Sequence, residues 1–463
     1  MSNITRVKER VNFCIKGELW EQIPKFFEEL HPADIAEIIN HAPSSSLNKL
    51  FELIDPEIKP DVLAELDDQA GADILEELTD EEISDLVEEM APDDAADLLG
   101  ELEDQQREGI LDLMEDEESD DVRELLQYDE DTAGGIMTTD FVAVHGNMKA
   151  SEAIDYIGSL ELDEPLYHLY VIDTEQRLIG WVPLWELIRR TNRNLTLDEL
   201  AEKETIVIHT DADQEEVARL ASKYDLSSLP VLDWQNKLVG RITVDDIMDV
   251  MEEEASEDIF KLAGSSDSEL DYNSPLHAFK SRLPWLLITL TTGFASVLLL
   301  DNYHHYLSLS DVIVLGAFVP VIMAMGGNTG IQSSTLIIRG IALGTGHTKK
   351  IARILKHEII AGASMGLMCG CAIAIYASIM IGRRPTIIPP SYLAATVGIA
   401  LFSAMTFAAV FGALVPVLLS RMKVDPAVAS GPFVTSSNDI FALLIYYGVT
   451  VSLIAVRSLL LGG

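Results

Sequence analysis

Residues 325–340 read MGGNTGIQSSTLIIRG, inside a stretch that holds no Asp, Glu, Lys or Arg from Val312 to Ile338. The length suits a membrane-spanning helix, because roughly 20 apolar residues cross a hydrocarbon core. The content does not suit a helix bathed in lipid. Asn328, Thr329, Gln332, Ser333, Ser334 and Thr335 are costly facing hydrocarbon and need partner helices or water. Two readings follow. The polar groups are glue between helices, with Gly326, Gly327 and Gly330 allowing close approach, or they line a pore.

Working outward, five spans fit the C-terminal half: about 283–302, 312–337, 357–381, 391–420 and 427–461, the third beginning beside His357 and Glu358. Basic residues set their orientation. Lys280 and Arg282 precede the first span, and the loop DNYHHYLSLSD (301–311) after it has no Lys or Arg. Arg339, Lys349, Lys350, Arg353 and Lys356 lie between the second and third spans, and Arg421 and Lys423 between the fourth and fifth. Arg383 and Arg384 run against this trend. The majority puts the N-terminus in the cytoplasm and the C-terminus outside. Cys369 and Cys371 read as small apolar packing residues, and with Cys14 they make no disulfide framework.

The fifth span begins DPAVASGPFVTSSNDIFALLIYYG (425–448), with Asp439 the only carboxylate in its apolar part. An acid inside a membrane is by default functional. The alternative is a helix cap, with Thr435 to Asn438 as capping residues and a span starting at Ile440. A helix starting near Ala427 would instead place Asp439 roughly 18 Å along its axis, near the bilayer centre.

The chain carries 76 Asp+Glu and 32 Lys+Arg in 463 residues, and the two halves divide them unequally. Residues 1–275 hold 71 acids and 20 bases, and residues 276–463 hold 5 and 12. An intensely anionic half is thus fused to an apolar, mildly basic one. Such a charge excludes nucleic acid as a partner, since phosphates need Lys and Arg, and it repels anionic headgroups. The N-terminus, MSNITRVKERVNFC, lacks the apolar core of a signal peptide, so the acidic half is expected in the cytosol. Dense carboxylates repel one another in a compact state. Divalent cations bound between domains would relieve that repulsion and set how the domains pack.

Within the acidic half, short units recur: HPADIAEII (31–39), ADILEEL (72–78), DEEISDLVEEM (80–90) and PDDAADLLGEL (92–102). They open on or near Pro or Asp and then space Ile and Leu as a helix does. Short helices with one apolar face must stack, so an α-solenoid is expected over 1–133. After Gly134-Gly135 two similar units follow. VIDTEQRLIGWV and VLDWQNKLVGRI align, with Asp173 and Asp233, and Gly180 and Gly240, in matching places. This doubled unit resembles a tandem pair of CBS domains, over 134–198 and 199–250. Such pairs commonly bind adenosine nucleotides, and Thr243 and Asp246 in RITVDDIMDV resemble the ribose-contacting pair. Residues 251–275 then read as an acidic connecting helix and a polar linker, and 276–463 as an all-α membrane domain of five helices.

Taken together, solenoid, CBS pair, acidic helix and five spans resemble the MgtE family of magnesium channels. The most specific parts are GGNTGIQSSTLIIRG in the second span and DPAVASGPFVTSSND entering the fifth. The resemblance implies a homodimer in the cell membrane, with a pore between the second and fifth spans and Asp439 as the residue that selects Mg²⁺. Asn328, Thr435 and Ser436 are expected to bond the ion's hydration shell. It further implies that the connecting helix plugs the pore when cytosolic Mg²⁺ bridges carboxylates of the solenoid, the CBS pair and this helix. Matched by motif, those carboxylates are Asp93 and Asp97; Asp213, Glu215 and Asp225; Asp246 and Asp249; and Glu254, Glu257 and Asp258. No nucleophile elbow, P-loop or HExxH motif occurs, so no enzyme is expected. A channel for Co²⁺ or Ca²⁺ and a non-conducting cation sensor remain the rivals. Soft metals are disfavoured by all-oxygen ligands.

Overall fold

The computed structural model describes residues 3–28, 30–160, 166–189, 193–203, 205–266, 275–303, 309–342, 348–427 and 431–461. Most of the expected linker at 264–275 lies outside the described residues, as do 304–308 of the first membrane loop and 343–347 of the second. The chain divides into two compact units, Met1–Glu252 and Glu253–Gly463.

The first unit begins with short helices that stack as a solenoid. Among them are α3 (Pro32–Asn40), α5 (Lys59–Ala64), α7 (Asp80–Val87), α8 (Pro92–Gly100), α9 (Asp104–Leu111) and α10 (Asp116–Leu125). Pro32 and Pro92 sit in the first turn, where a missing N–H costs nothing. Thr79 and Glu82 form a capping box on α7: Thr79 Oγ1 accepts from Glu82 N at 3.3 Å, and the Glu82 carboxylate accepts from Thr79 N at 2.9 Å. Alternate helices pack together, α3 on α5, α7 on α9 and α8 on α10. Ile35, Leu63, Ile83, Leu99 and Ile110 are buried between them.

Two three-stranded sheets follow, and they repeat one pattern. In the first, β1 (Ala143–His145) runs parallel to β2 (His168–Ile172), which pairs antiparallel with β3 (Leu178–Pro183). In the second, β4 (Ile208–His209), β5 (Ser228–Leu232) and β6 (Leu238–Thr243) do the same. Both hairpins carry a register shift at the same place, at Val171/Ile172 and at Val231/Leu232. Their turns are also alike. Asp173 Oδ1 accepts from the N–H groups of Glu175 and Arg177, and Asp233 Oδ1 from those of Gln235 and Lys237. Gln176 and Asn236 then both take the left-handed conformation, at φ 63°. The two sheets meet at a bond between Tyr170 Oη and Ser228 Oγ. The solenoid's apolar core continues through Ala133 and Met137 into Val217, Leu229 and Ile242 of the second CBS unit. An apolar core therefore joins these two domains without any bridging cation. The first CBS unit closes a core of its own around Ala153, Leu169, Val182 and Leu187.

Helix α15 (Val244–Ala263) begins in the first unit and ends in the second. The membrane half comprises α16 (Pro275–Tyr303), α17 (Leu309–Gly316), α18 (Val319–Ala342), α19 (Thr348–Ile381), α20 (Pro390–Arg421) and α21 (Pro432–Leu461). Among the described residues, five segments are long and apolar enough to cross a membrane. Several boundaries differ from expectation: the third long helix starts at Thr348, not near 357, and the fifth at Pro432, not near 427. The first helix continues back through Pro284 to Pro275. The second span is interrupted at 317–318, because Pro320 has no N–H to give the carbonyl of Gly316. The break leaves the Leu315 carbonyl to be satisfied otherwise, and it accepts from Phe318 N at 3.0 Å and from Tyr446 Oη at 2.9 Å. Helices α18 and α20 touch backbone to backbone: a Cβ on Gly412 would lie 2.2 Å from the Gly330 carbonyl oxygen. Only 6% of the most apolar stretch of α16 is buried.

Candidate functional site

Asp439 is the eighth residue of α21. It is no N-cap, because the helix starts at Pro432; nor does it lie twelve residues in, as a start near Ala427 would require. Seven residues of rise put it about 10 Å along the axis. The glycines of α18 make its groove. A Cβ on Gly327 would meet Thr435 Cγ2 at 3.3 Å and Asp439 Oδ1 at 3.6 Å, and one on Gly326 would meet Ala442 Cβ at 3.2 Å. At Gly330 a Cβ would overlap the side-chain amide of Asn438. Small residues thus let α18 and α21 pack closely, with the Asp439 carboxylate at their seam. The Asp439 side chain is partly exposed, and among the described residues nothing forms an ion pair with it.

The three residues expected around it fall into different places. Thr435 shares the groove, and its hydroxyl donates to the Gly431 carbonyl at 2.9 Å. Ser436 is buried and faces α16, its hydroxyl 3.4 Å from Thr289 Oγ1. One residue along a helix turns a side chain by about 100°, and that rotation carries Ser436 away from the seam. Asn328 is exposed on α18 and lines a cavity of about 280 Å³ with Thr329, Gln332, Met365 and Met405.

In the first unit the expected carboxylates do not gather at one point. Among the described residues no three Asp, Glu, His or Cys side chains are grouped as a metal site. Asp93 is buried on α8 whereas Asp97, one turn on, is exposed. Asp213 caps the helix α14 (Gln214–Tyr224), accepting from Glu215 N at 2.9 Å, with Glu215 in its first turn. Asp225 ends that helix in the left-handed conformation, at φ 53°. Asp246 accepts from the Thr243 hydroxyl at 2.5 Å and from Thr243 N at 3.2 Å, so the Thr-x-x-Asp pair is bonded to itself and caps α15. Burial raises the Asp246 carboxyl above its ordinary value; the Thr243 bond opposes this and Asp245 adds to it. Asp249 is raised by partial burial and then by Asp245 and Glu252. Across the solenoid boundary Glu65 is raised by partial burial and by Asp249, with His31 opposing. Sequence reasoning missed Glu65.

An acid whose value is raised on folding favours the neutral form in the folded state. The stability it contributes is present below the unfolded value, near 4, and is lost as pH rises through the raised one. In EDTA at pH 7 the Glu65→Gln chain should therefore melt about 1–2 °C higher than the unsubstituted chain, as expected for a partly exposed repulsive pair. At pH 4 the difference should vanish. A lower melting temperature at pH 7 would refute the repulsion.

In the second unit, Glu257 pairs with Lys261, and Asp258 lies near Asp425 and Arg339. Glu254 is half-buried on the same helix.

Comparison with known proteins decides the family. The model described as divalent cation transporter, MgtE, matches residues 319–449, the MgtE intracellular N domain matches 30–131, and CBS domains match 133–192 and 197–253. The magnesium transporter MgtE of Enterococcus faecalis is 35% identical over 323 residues, 70% of this chain and 69% of that protein. That of Thermus thermophilus is 37% identical over 325 residues, 70% of each. The chain belongs to the MgtE family. A crystal structure of the soluble part of a magnesium transporter is similar at 28% identity, covering 55% of this chain and 100% of that one, with a TM-score of 0.48. The cytosolic domain of the Mg²⁺ channel MgtE in complex with ATP is similar at 33% identity, covering 50% and 94%, with a TM-score of 0.47. MgtE is a family of transporters and not of enzymes.

Two ionic features of this MgtE chain escaped sequence reasoning. Glu358 is buried on α19, and the hydroxyl of buried Ser333 on α18 donates to it at 2.7 Å. The signal was visible, since Glu358 is the one acid of the third span. Lys261 bonds Asp425, 164 residues away, at 2.8 Å. Its signal was subtler: Lys261 is the one base in α15, among eight acids.

Proposed function

We propose that this chain is a Mg²⁺-selective channel of the cell membrane that works as a homodimer and is closed by cytosolic Mg²⁺. The observation that carries this is the partly exposed carboxylate of Asp439, free of any ion pair among the described residues and seated in a glycine-lined groove between α18 and α21. A carboxylate left without a cation at membrane depth suits a passing ion. Two such groups facing each other across a two-fold axis would hold a Mg²⁺ that keeps most of its water, because this ion dehydrates reluctantly and binds few carboxylates. Thr435 supplies a hydroxyl beside them. Conduction also requires release, which a tight protein cage would prevent. The uncovered apolar surface of α16 supports a second copy. The basic connections support a cytoplasmic N-terminus and an outside C-terminus.

Closure follows from the carboxylates. Repulsion centred on Glu65, Asp245 and Asp249 is relieved when divalent cations bind, and the same holds for Asp93, Asp97, Asp213, Glu215, Asp225, Glu254, Glu257 and Asp258 to the extent that closure brings them together. Cations then favour the compact state by their preference for it, and the far end of α15 closes the path. The transported ion thereby shuts its own entry. Thr243 and Asp246 are the residues that an adenosine nucleotide in the CBS pair would meet. A channel for Co²⁺ or Ca²⁺ is the second reading, and all-oxygen ligands favour the hard cations.

Currents across patches holding the full chain should fall as Mg²⁺ on the cytosolic face rises into the millimolar range, roughly the strength of weak carboxylate sites. Unchanged opening across that range would sink the closure. Equal uptake of Ca²⁺ and Mg²⁺ by liposomes would sink the selectivity.

A further inference from the structure

Helix α15 ends in an ordered way. Gly264, at φ 74°, stops it with bonds from Gly264 N to the Lys261 carbonyl and from Ser265 N to the Phe260 carbonyl, the pattern of a glycine-terminated helix. This end rests on the entry to α21. A Cβ on Gly431 would lie 2.0 Å from the Leu262 carbonyl oxygen, and one on Gly264 would lie 2.7 Å from Pro432 Cγ. Next to this contact is the ion pair. Lys261 Nζ lies 2.8 Å from Asp425 Oδ2 and also pairs with Glu257, one turn back. The other oxygen of Asp425 accepts from Ala427 N at 2.7 Å, so the carboxylate is held on both sides. Pro432 and Asp439 belong to one helix, seven residues apart.

We propose that the Lys261–Asp425 pair is a built-in latch, which holds the end of α15 on the entry of α21 and must break before the conduction path opens. The inference rests on the closure proposed above and names the contact through which it acts. Elsewhere on α15 a bound cation must offset repulsion between acids. Here the chain supplies that cation itself. Glu257, Asp258 and Asp425 surround the joint, with Arg339 near Asp258. Lys261 holds both Asp425 and Glu257 at once, so its one charge is shared between two carboxylates. Removing the lysine leaves three acids in close quarters, so the joint turns from attractive to repulsive. The latch thus fixes how much Mg²⁺ the upstream carboxylates must bind to keep the path shut.

The test uses the full chain in liposomes and reads the cytosolic Mg²⁺ concentration that halves uptake. Lys261→Gln and Asp425→Asn should each raise it about 5-fold or more, within the usual range of coupling between sites. The exchanged pair Lys261→Asp with Asp425→Lys should bring it back toward the original value. A second readout needs no gating: trypsin cleavage after Lys261, identified by mass, at saturating Mg²⁺. Asp425→Asn should expose that bond. Single variants that close at the original concentration overturn the latch, as does an Asp425→Asn chain whose Lys261 stays as protected as before. If the unsubstituted chain does not close with Mg²⁺, the closure falls, and the cleavage result still decides the latch.

Discussion

Asp439→Ala should abolish saturable Mg²⁺ uptake into liposomes while leaving the protein folded. A divalent ion about 4.5 Å from one carboxylate gains about 2 kcal/mol even at the dielectric constant of water, and about 7 kcal/mol at an effective value of 20. The lower figure alone weakens occupancy roughly 20-fold for one lost carboxylate, and a symmetric pore would lose two. Folding should be spared, since nothing among the described residues pairs with this side chain. Asp439→Asn separates charge from shape. The amide fills the groove beside Gly327 equally well, yet it should fail to the same degree. Selective uptake retained by the Asn chain would refute Asp439 as the selecting group, whereas loss in the Ala chain alone would point to packing.

The second large effect is structural. Gly412→Ala places its Cβ 2.2 Å from the Gly330 carbonyl oxygen and 2.9 Å from both the carbonyl carbon and the Cα of that residue. All three are backbone atoms, so no rotamer change relieves the clash, and α18 must move off α20 bodily. Overpacking of this kind costs about 3 kcal/mol at the upper end of its usual range, or roughly 6–12 °C in melting temperature for a unit of this size. The displacement also reaches the seam, because Gly330 carries Asn438 on its other side, next to Asp439. Uptake should fall with stability. Gly448→Ala is the matched control, since a Cβ there meets nothing within 4 Å. Equal melting temperatures for the two chains would remove the glycine contact from the account.

Patterns of short range were legible in the amino-acid sequence. The doubled CBS unit announced itself through matched Asp173 and Asp233, which the structure shows making the same turn. The five spans were readable from apolar length. The interruption at 317–318 was written in Gly316 and Pro320 but hidden by the unbroken apolar run, since hydropathy registers composition and not the missing N–H. The start of α21 at Pro432 was likewise available, because proline suits a first turn. The seam around Asp439 followed from small residues and one acid. Ser436 next to Thr435 meets a different helix, because one residue turns a helical side chain by about 100°. The Lys261–Asp425 bond could not be read at all. Its partners are 164 residues apart, and each looks like an ordinary surface charge until packing brings them together.

The shared core of the solenoid and the second CBS unit has a thermodynamic consequence. Ala133, Met137, Val217, Leu229 and Ile242 belong to the same apolar cluster as Ile35 and Leu99, whereas Leu169, Val182 and Leu187 form another. Segments with few buried apolar contacts open more readily than those held in a large core. The two CBS halves, alike in sequence, thus bury most of their apolar residues in different cores, joined by the smaller cluster of Tyr170, Trp181, Leu232 and Leu238. The second is expected to unfold with the solenoid, and the first to be coupled to both only through that smaller cluster.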